Sequence, residues 1–71
     1  MSDLDTRLLD AHAAGDHAAL VALYTEAADR AGDDARYFYL THAYVYALEA
    51  GHALAPALRA RLVAAGRESD E

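Results

Sequence analysis

Four histidines are the residues of this sequence best suited to hold a metal ion or to move a proton. They stand at His12, His17, His42 and His52. Zinc sites on helices place their ligands about four residues apart, as in the HExxH motif, because that spacing puts both side chains on one face. No two of these histidines have that spacing, and the chain has no cysteine. The sequence therefore predicts no metal site and no cofactor, with the histidines as packing or surface residues.

A catalytic nucleophile would need a hydroxyl group held beside a base. Apart from the tyrosines, the hydroxyl residues are three threonines and the serines Ser2 and Ser69. The two serines lie near the ends of the sequence, where positioning is poor. Thr41 and His42 are adjacent, so their side chains would point in different directions on a helix. No glycine-rich phosphate-binding loop is present, and we expect a protein that is not an enzyme.

The aromatic residues are concentrated between positions 35 and 51, which hold the single Phe and four of the five Tyr. On a helix, Tyr37 and Tyr44 form one stripe, and Tyr39 and Tyr46 form another, since each pair is seven residues apart. Tyr and Arg are enriched at the centres of protein interfaces. We therefore expect one stripe to face a partner. The candidate interface residues are Arg36, Tyr39, His42 and Tyr46. The alternative is that both stripes pack inside the molecule.

Four helices are expected to position these side chains. The aromatic stretch is too long for a strand, which usually has about 5–6 residues. Apolar residues at helical spacing predict further helices before and after it. The predicted helices span residues 4–14, 17–31, 34–50 and 54–65 of a single domain, and residues 67–71 form a frayed acidic tail.

Glycines and one proline mark the predicted helix boundaries. We expect Gly15 to adopt a left-handed conformation and Asp16 to cap the second helix. Gly32 is expected to end that helix, with an aspartate after it as the next cap. Gly51 looks like the left-handed cap of the third helix, and Pro56 fits the first turn of the fourth. Connections this short make neighbouring helices antiparallel. The predicted fold class is all-α, with four antiparallel helices as two helical hairpins or as a plain up-down bundle.

Charge and hydropathy limit the kind of partner. The net charge is −6, and the chain has six Arg and no Lys. A field of this sign repels phosphate backbones, so nucleic acid is not an expected partner. No apolar run approaches the roughly 18 residues that a membrane span requires. The acidic start of the sequence also differs from a secretory or transit peptide. We expect a soluble cytoplasmic protein without a membrane partner.

One segment resembles a known family. Residues 14–28 are similar to the turn and second helix of a tetratricopeptide (TPR) repeat, with Gly15 in the turn, Tyr24 as the aromatic residue and Ala27 as the small residue. A more degenerate second copy follows, in which Gly51 takes the place of the turn glycine. The two glycines are 36 residues apart, against 34 in the family. Leu4 stands where the family usually has a Trp.

The resemblance implies a stack of two helical hairpins whose first and third helices line a concave groove. Some family members hold a peptide carboxylate with Lys and Asn, and this chain has neither residue. We expect a non-catalytic protein–protein interaction module that binds another protein or a second copy of itself. Such stacks usually need about three repeats for stability, so we expect a homodimer. The alternatives are a helical bundle that binds a small ligand or metal, and a structural subunit of a larger assembly.

Overall fold

The structure is a computed structural model that describes residues 3–66, apart from the side chain of Asp33. This part of the chain contains four α-helices and no strand. The helices are α1 (Asp3–Ala14), α2 (His17–Arg30), α3 (Asp33–Ala50) and α4 (Ala55–Ala64). Each bound lies within one residue of its predicted position, and the all-α, four-helix fold class is confirmed. The predicted tail at 67–71 lies outside the described residues.

The helices pack as an open row. The first residue of α2, His17, approaches Glu49 near the end of α3, and Arg7 on α1 contacts Glu26 in the second half of α2. These pairings show that α1, α2 and α3 run antiparallel in turn. Among α1–α4, only consecutive helices have Cα atoms within 8 Å of each other. Because α1 and α4 do not meet, the molecule is a flat slab of 36 × 27 × 13 Å instead of a closed bundle.

The central pair, α2 and α3, is held together through small residues. Ala28 of α2 and Ala43 and Ala47 of α3 are fully buried, so the two helices approach closely. On the same inward side of α3, Leu40 packs in one core with the α4 leucines. The buried core of the central pair and α4 consists of Val21, Ala28, Leu40, Ala43, Ala47, Leu58 and Leu62. A smaller cluster of Ala11, Leu20 and Leu23 joins α1 to α2.

Two of the three turns have the predicted chemistry. Gly15 and Gly51 adopt left-handed conformations, with φ of 64° and 61°. The Asp16 carboxylate accepts a hydrogen bond of 3.1 Å from the Ala19 backbone N–H, which confirms it as the cap of α2. These turns reverse the chain sharply, and they fix where α2 begins and where α3 ends.

The turn between α2 and α3 differs from the prediction. Gly32 has a φ of −73°, and it is the N-cap residue of α3 in place of an aspartate. The chain leaves α2 through an extended residue, Ala31, and this conformation ends the helix without a left-handed glycine. The third helix therefore begins one residue earlier than expected, at Asp33.

Candidate interaction surface on the third helix

The third helix has three kinds of surface. Its inward side, made by Leu40, Ala43 and Ala47, is buried against α2 and α4. Two tyrosine shoulders flank that side, Tyr37 with Tyr44 and Tyr39 with Tyr46, and all four tyrosines are half-buried against the core. The remaining side faces away from α2. Its large apolar residues are Phe38, Val45 and Leu48, which we call the outer strip.

The outer strip is a row of three apolar residues on an exposed face, with Thr41 between the first two. Phe38, Val45 and Leu48 are 58%, 46% and 56% exposed. With the exposed Thr41 between them, their spacings of three, four and three residues follow the helical period, so they share one face. A shallow groove of about 240 Å³ runs beside the strip. It is lined by Thr41, His42, Val45, Tyr46 and Glu49.

Tyr24 of α2 is the centre of an aromatic cluster beside this strip. Its ring lies 5.8 Å from Tyr46 and nearly parallel to it, at an interplanar angle of 11°. The rings of His42, His12 and Tyr39 lie 5.2, 5.9 and 6.2 Å from the Tyr24 ring. The Tyr24 hydroxyl also forms a hydrogen bond of 2.9 Å with Nε2 of His12. The cluster therefore joins α1, α2 and α3 through side chains.

The surroundings of Tyr24 give it a structural role. Burial raises the pKa of its phenol above the ordinary value of 10.0, and the neighbouring Tyr46 and Tyr39 raise it further. A phenol that acts as a nucleophile needs the opposite shift, towards the ionised form. Tyr24 stays neutral at physiological pH, where it can pack and hydrogen bond with His12.

The four candidate interface residues fall into two places. Tyr39, His42 and Tyr46 lie together on one shoulder, as predicted from their spacing, and all three rings lie beside Tyr24. Nδ1 of His42 donates a 2.9 Å hydrogen bond to the Phe38 carbonyl one turn earlier. These three side chains therefore contact α2 within the molecule. Their contact with a partner stays a prediction.

Arg36 lies away from this shoulder, at the C-terminal end of α2. Its Nε and Nη2 atoms donate hydrogen bonds of 3.3 and 3.2 Å to the carbonyl oxygens of Ala28 and Ala31. The carbonyls at a helix C-terminus have no partners within the helix and carry a partial negative charge. Arg36 therefore supports the α2–α3 turn, and its guanidinium points into the fold.

The outer strip itself is absent from the sequence prediction. Phe38, Val45 and Leu48 have helical spacing, which is visible in the sequence. Asp34, Thr41 and Glu49 lie on the same face, however, so the pattern resembles that of an ordinary solvated face. The abundance of tyrosine also favoured the shoulders as the candidate surface. Only the packing of α2 and α4 shows which side of α3 is left uncovered.

The groups that could do chemistry have other partners. The hydroxyls of Thr25 and Thr41 donate hydrogen bonds of 2.7 and 2.8 Å to carbonyls of their own helices. Nδ1 of His52 accepts a hydrogen bond from the Leu54 backbone N–H. Within residues 3–66, no group of three or more His, Asp or Glu side chains could hold a metal ion. Ser2 and Ser69 lie outside the described residues.

Comparisons with protein-family models, curated proteins and solved structures give no match for this chain. The resemblance to TPR repeats therefore stays a prediction from the sequence. None of α1–α4 combines the length and the apolar character that crossing a bilayer would require.

Proposed function

We propose that this chain is a non-catalytic protein–protein interaction module that binds its partner on the outer strip of α3. The observation that carries the proposal is the row formed by Phe38, Val45 and Leu48, each about half exposed on the central helix of the fold. Scattered apolar residues are normal on a protein surface, whereas large apolar side chains aligned on one exposed helix face, with polar residues around them, are typical of a binding site.

The strip supports a weak, reversible complex. Burying a large apolar side chain completely stabilises by roughly 1.5–3 kcal/mol, and about half of that surface is already covered here. Three such side chains leave enough apolar area for a small interface, below the area of most permanent complexes. The tyrosine shoulders add half-buried aromatic edges on both sides of the strip, which is favourable for the rim of a binding surface.

The absence of catalysis is part of the proposal. The threonine hydroxyls nearest to the strip and the core donate to helix carbonyls, and the Tyr24 pKa is raised. Neither feature favours a nucleophile. The open row of helices and the TPR resemblance both agree with a module that offers one helix face to another protein or to a second copy. We also propose a cytoplasmic location, which agrees with the acidic composition of the chain.

A displayed library of helical peptides tests this function with the full chain as bait. The test variant carries Phe38→Ser and Val45→Ser. The matched control carries Leu9→Ser and Leu54→Ser, which removes two apolar side chains that are also exposed, at 60% and 40%, but lie outside α3. Circular dichroism checks that both variants keep the wild-type helix content.

The wild type and the control are expected to enrich the same peptides, and the strip variant is expected to lose them. Equal enrichment by the strip variant and the wild type would exclude the outer strip as the binding surface. Failure of the wild type to enrich any peptide would also count against the proposed function.

A further inference from the structure

We infer that the partner on the outer strip is a basic amphipathic helix from another protein, lying lengthwise along α3. This inference rests on the proposed function, and it adds the chemistry of the partner. Three properties of the strip carry it: its shape, the charge at its two ends, and the poor match that a second copy of the chain would make.

The shape of the strip fits a helix. The exposed face runs from Asp34 to Glu49, about 22 Å at the rise of an α-helix. Phe38, Val45 and Leu48 form a straight row along it, with shallow grooves between the side chains instead of a closed pocket. A partner helix with apolar residues at similar spacing could place its side chains between them. This is the helix-in-groove mode of recognition.

Both ends of the strip are acidic. The side chains of Asp34 and Glu49 are exposed, at the first and last turns of α3. Nδ1 of His17 lies 3.8 Å from the Glu49 carboxylate, which stays more than half exposed. A partner that carries cations at these two positions would therefore meet unlike charge at each end.

Three of the six arginines have partners away from the strip. Arg36 is the single Arg of α3, and it donates to α2 carbonyls. Arg7 pairs with Asp3 and Glu26, and Arg61 pairs with Asp29 at 2.9 Å. The chain has no Lys, and its net charge is −6. The net negative charge of the chain therefore attracts a basic partner and raises its rate of association.

A second copy brings like charges together in two simple registers. An antiparallel pair of α3 helices centred between Thr41 and His42 places Phe38 opposite Val45 of the second copy, which is a good apolar match. The same register places Asp34 opposite Glu49 at both ends. A parallel pair places Asp34 against Asp34 and Glu49 against Glu49. Like charges placed opposite each other across an interface oppose association, so these two registers are less favourable than a basic helix.

Two synthetic helical peptides test the inference. Both have leucines at the same i, i+4, i+7 and i+11 positions. One has Lys and Arg in its first and last turns, and the other has Glu in the same places. Fluorescence anisotropy measures their binding to the full chain at about 50 mM and about 300 mM salt, because screening separates charge from apolar contact.

The basic peptide is expected to bind at least about tenfold more tightly at low salt, a difference of about 1.4 kcal/mol. The preference should shrink at high salt. It should also shrink in the double variant Asp34→Asn, Glu49→Gln. The double variant Asp5→Asn, Asp10→Asn changes the net charge by the same amount on α1, and it should keep most of the preference.

Equal binding of the two peptides, lost from both in the Phe38→Ser, Val45→Ser variant, would overturn the basic partner and leave the outer strip as a docking surface. A wild-type dimer in sedimentation equilibrium that binds neither peptide, and that the same variant dissociates, would identify a second copy as the occupant and overturn the inference. A wild type that neither binds a peptide nor dimerises would also overturn the inference. The selection from the displayed peptide library then decides whether the proposed function itself fails.

Discussion

The two sides of the third helix carry similar side chains in opposite surroundings. Tyr46 packs against Tyr24 of α2 and His12 of α1, whereas Phe38 contacts only neighbours on its own helix among the described ring contacts. The more apolar ring is therefore the more exposed one. Position relative to α2 and α4 decides burial here, because those helices cover only one half of α3. A tyrosine tolerates a half-covered shoulder, since its ring packs while its hydroxyl reaches a polar partner or solvent.

The largest difference between the two sides should appear in the stability lost when one leucine on each side is replaced by alanine. Leu40 on the inward side is fully buried, and Leu48 on the outer strip is mostly exposed. Leu40→Ala is expected to lower the free energy of unfolding by about 2–5 kcal/mol, because it leaves a cavity in the core. Leu48→Ala should change it by less than about 0.5 kcal/mol. Urea denaturation followed by circular dichroism measures both values.

A domain of this size has only about 4–10 kcal/mol of stability, so Leu40→Ala could leave little folded protein. Leu40→Val removes less volume and keeps the comparison measurable, with an expected loss of about 1 kcal/mol. Equal losses in the Leu40 and Leu48 variants would mean that the outer strip is covered in the folded protein.

A smaller difference in stability is expected between a substitution in the aromatic cluster and one in the strip beside it. Tyr46→Ala removes ring contacts with Tyr24, His12 and His17, and it should cost about 1–3 kcal/mol. Val45→Ala, at the adjacent position, should cost less than about 0.5 kcal/mol. The midpoints of thermal unfolding compare the two variants under one condition. A larger loss for Val45→Ala would show that the cluster is not what joins the helices.

The smallest expected effect is on the pH dependence of stability. The folded pKa of Tyr24 is raised above 10.0, first by burial and then by Tyr46 and Tyr39. Below pH 10.0 this tyrosine is neutral in the folded and the unfolded chain. Above it, the unfolded chain loses the proton first, so the stability due to this shift falls as the pH rises through the folded pKa. Tyr24→Phe should flatten the decline of the urea midpoint in alkaline solution. An unchanged slope would contradict the assigned environment of Tyr24.

Much of the fold is visible in the sequence because its signals are local. Gly15, Asp16 and Gly51 set turns through backbone conformation and capping, which need no distant contact. Ala43 and Ala47 mark a close helix contact by their size alone. The α2–α3 turn was less predictable, because two conformations can end α2 equally well. A left-handed Gly32 was expected, and an extended Ala31 ends the helix instead.

The candidate surface was only partly predictable because exposure depends on the neighbours. Helical spacing correctly grouped Tyr39, His42 and Tyr46, but it could not show that Tyr24 from another helix lies against them. The direction of Arg36 is likewise set by the carbonyls that end α2. Phe38, Val45 and Leu48 become visible as a group only when the open row of helices leaves them without a covering element.

The most direct test of the outer strip as a docking surface is a methyl NMR titration of the full chain with the basic helical peptide. We expect chemical-shift changes at the methyl groups of Val45, Leu48 and Thr41, with small changes at the buried Val21 and Leu40. Shifts centred instead on the exposed Leu9 or Leu54, or no shift in any methyl group at the highest peptide concentration, would contradict the docking surface on α3.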